Sequence, residues 1–289
     1  MPSVALAARP PRHDPASRPR FAGRVPDHRP SNRRIRPERT PSSVLVLLPP
    51  SETKSNGGTG APLRLDSLSF GELNPTRLRL TEALTELAGD PDASLRALGL
   101  SERMSGEVER NAALWSSPTA PALERYTGVL YDALEADSMS AVERSRADSR
   151  LVVASALFGL VRGGDPIPAY RLSANSALPG LGGLRSVWRP ALEPVLAAAA
   201  EPVVDLRSGA YAALARTRGA VEVSVVTELP DGSRKTVSHH NKAHKGRLAR
   251  ALASTPEEPD DLDDMVVVAE KAGIRVERAG ERTLRVIAG

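Results

Sequence analysis

The sequence has no cysteine, which excludes disulfides, zinc-thiolate sites, iron-sulfur clusters and cysteine nucleophiles, and fits a reducing compartment. No secretory leader is expected either: residues 1–9 carry a short apolar patch with no basic region ahead of it and no adequate hydrophobic stretch behind. Long hydrophobic runs are also absent. The longest, residues 151–161, is interrupted by Ser155 and Gly159 and falls well short of the roughly 20 apolar residues that cross a bilayer. The expectation is a soluble, cytoplasmic protein with no membrane contact.

What is present is a chain of 289 residues, 40% hydrophobic, long enough for a real core. Its formal charge of +4 and pI near 9.7 invite a nucleic-acid reading, but the charge is not evenly spread. Residues 1–43 hold ten arginines against Asp14, Asp27 and Glu38, a net of +7, which leaves −3 for residues 44–289. The same segment carries nine prolines. Low hydrophobicity with high net charge cannot offset the entropy of ordering, so residues 1–43 are expected to be a disordered Arg/Pro-rich extension. The expectation is either a non-specific phosphate-binding arm, or a species-specific extension or an upstream mis-called start codon.

The texture changes at Val44. Residues 44–48 form a continuous apolar run stopped by Pro49 and Pro50, the pattern of a buried strand ending in a loop. The loop of residues 49–60 is rich in small and glycine residues whose amides can approach an anion, without the spacing of a nucleotide P-loop. Leucines near helical spacing predict two or three helices over residues 74–115, and further helices over 121–135, 140–160, 184–200 and 242–252. Residues 202–206 read as a buried strand, 221–228 and 234–237 as a hairpin turning at residues 230–232, 256–264 as an acidic linker and 283–287 as a closing strand.

Four constellations are candidates for chemistry. Ser51, Glu52, Thr53 and Lys54 follow the first strand, where α/β sheets place ligand contacts, although a capped loop fits equally. Arg162, Asp165, Tyr170 and Arg171 put charge next to an apolar segment: either Arg162 and Asp165 form a structural ion pair, or Arg162 and Arg171 form a fork-shaped clamp for a carboxylate or phosphate. Asp205, Ser208 and Tyr211 present a carboxylate and hydroxyls at a strand end. There Asp205 serves as general base or metal ligand, or else as a helix cap. His239, His240 and His244 gather within six residues, with His240 and His244 on one helical face, a spacing that can hold a transition metal. The alternatives for that segment are anion binding through Lys242 and Lys245, with Arg247 and Arg250, or a solvated basic face.

Taken in order, Leu47-Leu-Pro-Pro-Ser-Glu-Thr53, Tyr126-Thr-Gly-Val-Leu-Tyr131, Phe158-Gly-Leu-Val-Arg162 with Asp165, Tyr170-Arg-Leu172, Trp188, Asp205-Leu-Arg-Ser208 with Tyr211, and Lys242 with Lys245-Gly246 resemble the YaaA family of peroxide-stress proteins. The resemblance covers essentially all of residues 44–289. It implies a single mixed α/β (α+β) domain of unusual topology, with a helix-hairpin-helix element placed either around residues 126–134 or among the helices of residues 75–115. It also implies a positively lined cleft, DNA binding and the limiting of free iron under hydrogen peroxide. No cofactor is expected. Glu52 and the His239-His-Asn241 and His244 positions depart from the family's usual residues.

Two functional readings follow. In the first, a basic cleft of Lys54, Arg162, Arg171, Lys242 and Lys245 binds DNA. In the second, the chain is an enzyme for a small anionic or nucleotide-like ligand, with Arg162 and Arg171 as clamp, Thr53 and Ser208 positioning, and Asp205 or Tyr211 moving a proton. Direct iron binding by His239, His240 and His244 is a third possibility.

Overall fold

Residues apolar at every position, closed by two prolines, form the first strand: β1 (Leu45–Leu48) is buried throughout. In the computed structural model, which describes residues 44–199, 202–229, 233–236 and 241–288, β1 is an interior strand of a mixed sheet. Expectations for residues 1–43, for the turn at 230–232 and for His239 and His240 lie outside the described residues.

The chain continues through α1 (Asn74–Leu87) and α2 (Pro91–Leu98), which carry the leucine spacing, and α3 (Ser105–Ala112), three helices where two or three were expected. Proline follows the first residue of α1 and opens α2, where its missing N–H costs nothing. The predicted helix over residues 121–135 is broken. A single turn at Ala122–Arg125 precedes α4 (Val129–Leu134), and between them the chain passes through Gly128 at φ 96°.

The predicted helix over residues 140–160 is half right. Helix α5 (Ala141–Arg150) starts with a capping box in which Ser140 and Glu143 satisfy each other's backbone amides. The apolar half instead forms β2 (Leu151–Ser155) and β3 (Gly159–Arg162), paired antiparallel. A strand covered on both faces reads as a continuous apolar run, as a buried helix does. The reversal needs Gly159, whose φ is +73° and whose missing Cβ leaves room for the Trp188 ring, 2.6 Å from where that atom would stand.

Helix α6 (Leu184–Ala197) carries Trp188, whose indole donates to Ala156 O at 2.8 Å. After it come β4 (Val203–Asp205), β5 (Val221–Glu228), β6 (Arg234–Thr236), α7 (Asn241–Ser254), α8 (Leu262–Lys271), β7 (Val276–Gly280) and β8 (Thr283–Ala288). Helix α8 intrudes on the stretch expected to be an acidic linker. Its acidic start is a cap, since the Asp261 side chain accepts from the amides of Asp263 and Asp264. Strand β7 was not expected either.

The sheet order is β7-β8-β5-β4-β1-β2-β3, with β6 beside β5. The five central strands run parallel, and antiparallel β7 and β3 close the edges. The carboxyl ends of β2, β1 and β4 therefore lie side by side. This is a mixed α/β single domain. No helix of the described residues is long and apolar enough to cross a membrane.

Much of the arginine content is structural. Arg77, Arg125, Arg150 and Arg207 are buried; the first three donate mainly to main-chain carbonyls, and Arg207 to the Asp205 carboxylate. Arg77 reaches Phe158 O and Leu160 O at 2.9 and 2.6 Å, and Arg125 reaches Ser55 O and Gly57 O at 2.6 and 2.7 Å. Such charged donors satisfy carbonyls that sheet and helix leave over.

Candidate functional site

Residues that follow adjacent parallel strands meet at one sheet edge, the ordinary place for a ligand in an α/β sheet. Here Pro49–Thr53 leave β1, Leu206 and Ser208 leave β4, and Tyr211 follows within a turn. Thr127–Tyr131 at the start of α4 and Asn241, Lys242 and Lys245 on α7 complete the walls. Together they enclose a cavity of about 450 Å³.

Its polar lining is mostly hydroxyl and ammonium. Ser51 Oγ lies 3.1 Å from Thr53 Oγ1, which in turn accepts from Thr127 Oγ1 at 3.1 Å. Lys245 Nζ donates to Leu206 O at 3.0 Å. Burial lowers the Lys245 pKa, with nearby Asp205 working against the shift. Lys242 is exposed at the rim.

All four tyrosines of the chain collect here. Tyr131 and Tyr211 line the cavity. Tyr126 stacks on Tyr131 with centroids 5.6 Å apart, and its hydroxyl lies 2.9 Å from that of Tyr170, which also meets Ser155 Oγ at 2.8 Å. Desolvation pushes the Tyr126 phenol up to about 12 and raises those of Tyr131, Tyr170 and Tyr211 as well. These groups keep their protons at neutral pH. Tyr211, expected to move a proton, is therefore equipped to donate a hydrogen bond rather than to act as a base.

Lys54 sits beneath this wall. Its ammonium donates to Ser51 O at 3.1 Å and Glu52 O at 3.4 Å, and lies 4.3 Å from the Tyr170 ring centroid and 5.5 Å from that of Tyr126. Burial lowers its pKa to about 8, with the Glu52 carboxylate opposing the shift and Arg171 adding to it. Arg171 contacts Glu52 at 3.2 Å.

Of the expected site residues, Ser51, Thr53, Ser208, Tyr211, Lys242 and Lys245 line the cavity, while Lys54, Tyr170 and Arg171 stand behind its lining. Asp205 is engaged elsewhere: both carboxylate oxygens bind Arg207, at 2.9 and 2.7 Å, and one also accepts the Arg207 amide. Arg162 is not at this edge. It pairs with Val152 at the start of β2, whereas Ser155, at the cavity end, pairs with Gly159, so about three residues, roughly 10 Å, separate it from the strand ends. Its guanidinium donates to Ser149 O and lies 5.3 Å from the Phe70 centroid, in a separate hollow with Leu45 and Glu72. The clamp of Arg162 with Arg171 does not form, because the β2–β3 reversal carries the two to different places. The Asp165 carboxylate accepts from Ser69 and from the Arg162 amide, not from its guanidinium.

The glycine-rich half of the first loop folds against Arg125 and Thr119 rather than into the cavity. His244 lies on α7, half-buried. Among the described residues no group of three or more His, Cys, Asp or Glu is placed to hold a metal ion. Sequence reasoning missed Thr127, Tyr131, Asn241 and the Tyr126–Tyr170–Ser155 network. One signal was available: in a chain with 39 lysines and arginines, only five are lysine, and Lys54, Lys242 and Lys245 are three of them.

The sequence pattern of a family described as peroxide stress protein YaaA matches residues 44–271. A UPF0246 protein of Corynebacterium efficiens is 48% identical over 238 residues, covering 81% of this chain and 95% of its own length. A UPF0246 protein of Corynebacterium glutamicum is 44% identical with the same coverage of both chains. One of Streptomyces coelicolor is 45% identical over 239 residues, 81% of this chain and 92% of its own.

Proposed function

Because the chain belongs to the peroxide stress protein YaaA family, we propose that it serves peroxide defence by binding a small anionic ligand in the cleft at the carboxyl ends of β4 and β1. The observation that carries this reading is convergence. Two lysines, a chain of three hydroxyls, Ser208 and the Tyr211 phenol come from four separate stretches of sequence to one cavity of about 450 Å³, within the usual range for small-molecule sites. Lysine supplies charge, hydroxyls and phenol supply donors, and Pro49, Pro50, Leu206 and Tyr131 supply an apolar wall. In this reading the limiting of free iron follows from ligand binding.

The groups favour binding over proton transfer. Asp205 is neutralised by Arg207, and Tyr211 is held protonated. Exposed Lys242 at the rim supports a second reading, in which a phosphate of a DNA strand is the anion.

The test is thermal stabilisation of the full chain by inorganic phosphate, pyrophosphate, nucleoside monophosphates and short duplex DNA. A bound ligand at 100 times its Kd adds about 2.7 kcal/mol. Replacing Lys242 and Lys245 together by alanine is expected to abolish the stabilisation. If the double variant responds as the wild type does, the cleft is not the anion site. A response to duplex DNA alone, lost in the variant, selects the second reading.

A further inference from the structure

Glu52 lines the cavity and Arg171 does not, yet the two touch. The exposures agree: 51% for the Glu52 side chain and 20% for that of Arg171. The carboxylate thus stands at the cavity wall with the guanidinium behind it. The closest approach is 3.2 Å, long for a charge-assisted bond, which is ordinarily about 2.7–2.9 Å. At the end of the adjacent strand β4 the fold makes the other kind of pair, in which Arg207 grips both oxygens of Asp205 and is 1% exposed.

The loose partner is set on a rigid base. Buried Asn111 accepts from the Arg171 amide at 2.8 Å and donates to its carbonyl at 2.9 Å, so the main chain of Arg171 is held from both sides. The other cation here, Lys54, has only main-chain carbonyls and tyrosine faces around its ammonium, and none of the described ion pairs includes it. Glu107, the next carboxylate within electrostatic reach, is paired to Arg110 at 2.6 Å. Of these two cations Arg171 alone touches the half-exposed Glu52 carboxylate, Lys54 feels it only at longer range, and that carboxylate belongs to a loop that lines the cleft.

We infer that Glu52 holds, with its own carboxylate, the place of a second acidic group of the ligand. The ligand is then a small molecule with two anionic centres, one met by Lys242 and Lys245 and the other by Arg171 and Lys54 when Glu52 turns aside. This rests on the anion-binding reading above and adds to it the class of ligand and a built-in competitor. Binding exchanges one carboxylate for another at the same guanidinium, so the cost of uncovering Arg171 is small. A ligand with a single anionic centre has no reason to displace Glu52.

The experiment is calorimetric titration of the full chain and of E52Q, R171M and the E52Q/R171M double variant. Orthophosphate serves as the one-centre probe, and pyrophosphate and succinate as two-centre probes. Glu52→Gln keeps the shape of the side chain and removes its charge. It is expected to tighten the two-centre probes by roughly three- to tenfold and to leave orthophosphate within about twofold. The double variant is expected to lose that gain. If the wild type binds these anions and E52Q binds the two-centre probes no more tightly, the inference fails while the anion-binding reading stands. Equal tightening of orthophosphate overturns the assignment of two acidic centres. If neither the wild type nor E52Q binds any of the probes, the reading beneath the inference falls with it.

Discussion

Lys54 offers a test that reads the cleft wall without knowing the ligand. Its pKa falls from 10.5 to about 8 because burial penalises the ammonium. Between those two pH values the unfolded chain binds a proton at this lysine that the folded chain does not, so the Lys54 contribution to stability rises with pH across that window. Below it, the folded state bears the full cost of the buried charge. A shift of about 2.5 units corresponds to roughly 3 kcal/mol, and partial solvent access reduces this to about 1–2 kcal/mol. The perturbation is Lys54→Met, which keeps the stem against Tyr126 and Tyr170 and removes the charge. Urea unfolding of both proteins from about pH 7 to about pH 10 isolates the effect, because other titrations are shared and cancel in the difference. The advantage of the variant over the wild type is expected to shrink by about 1–2 kcal/mol between those limits. Parallel stability curves across the range would refute the reasoning, since they would show an ammonium as well solvated as in the unfolded chain.

Two further outcomes follow from the same geometry. A Cβ on Gly246 would lie 2.2 Å from Leu130 O and 3.0 Å from Ala133 Cβ; Gly246→Ala is therefore expected to push α7 off α4, lower stability by roughly 2–4 kcal/mol and weaken anion binding at Lys245, as read by denaturation and calorimetry. All four tyrosines have pKa values raised by burial, so the near-ultraviolet phenolate signal of the folded protein is expected to stay flat through the ordinary tyrosine range near 10. It should rise only as the chain unfolds in alkali, because a raised folded pKa removes stability as pH climbs past the unfolded value; a tyrosine titrating near 10 in the folded protein would contradict the buried network.

The parts legible in advance were those whose physics is local. The apolar run before Pro49, the leucine spacing of α1 and α2 and the alternation in β5 each depend on neighbours in sequence. The segment of residues 151–160 was misread because periodicity cannot distinguish a strand covered on both faces from a buried helix. That error moved Arg162 into a cleft it does not reach: the hairpin at Gly159 turns it back along β2. Helix α8 went unseen because its capping aspartates resemble a linker when read as charge alone.

By itself the sequence determined that residues 44–289 carry a slightly acidic mixed α/β domain, that thiol chemistry is excluded, and that Ser51, Thr53, Ser208, Tyr211, Lys242 and Lys245 deserve notice. Only the tertiary structure decided which of the charged residues are available to a ligand. Arg77, Arg125 and Arg150 are engaged as donors to main-chain carbonyls, and Arg207 and Asp205 are engaged by each other. Lys242, Lys245 and the half-exposed Glu52 remain at the cavity. The reason is that a hydrogen-bond partner is chosen by distance in space. Strand β1 lies between β2 and β4 in the sheet while about 100 and about 155 residues of sequence separate it from them, and no local pattern records that adjacency.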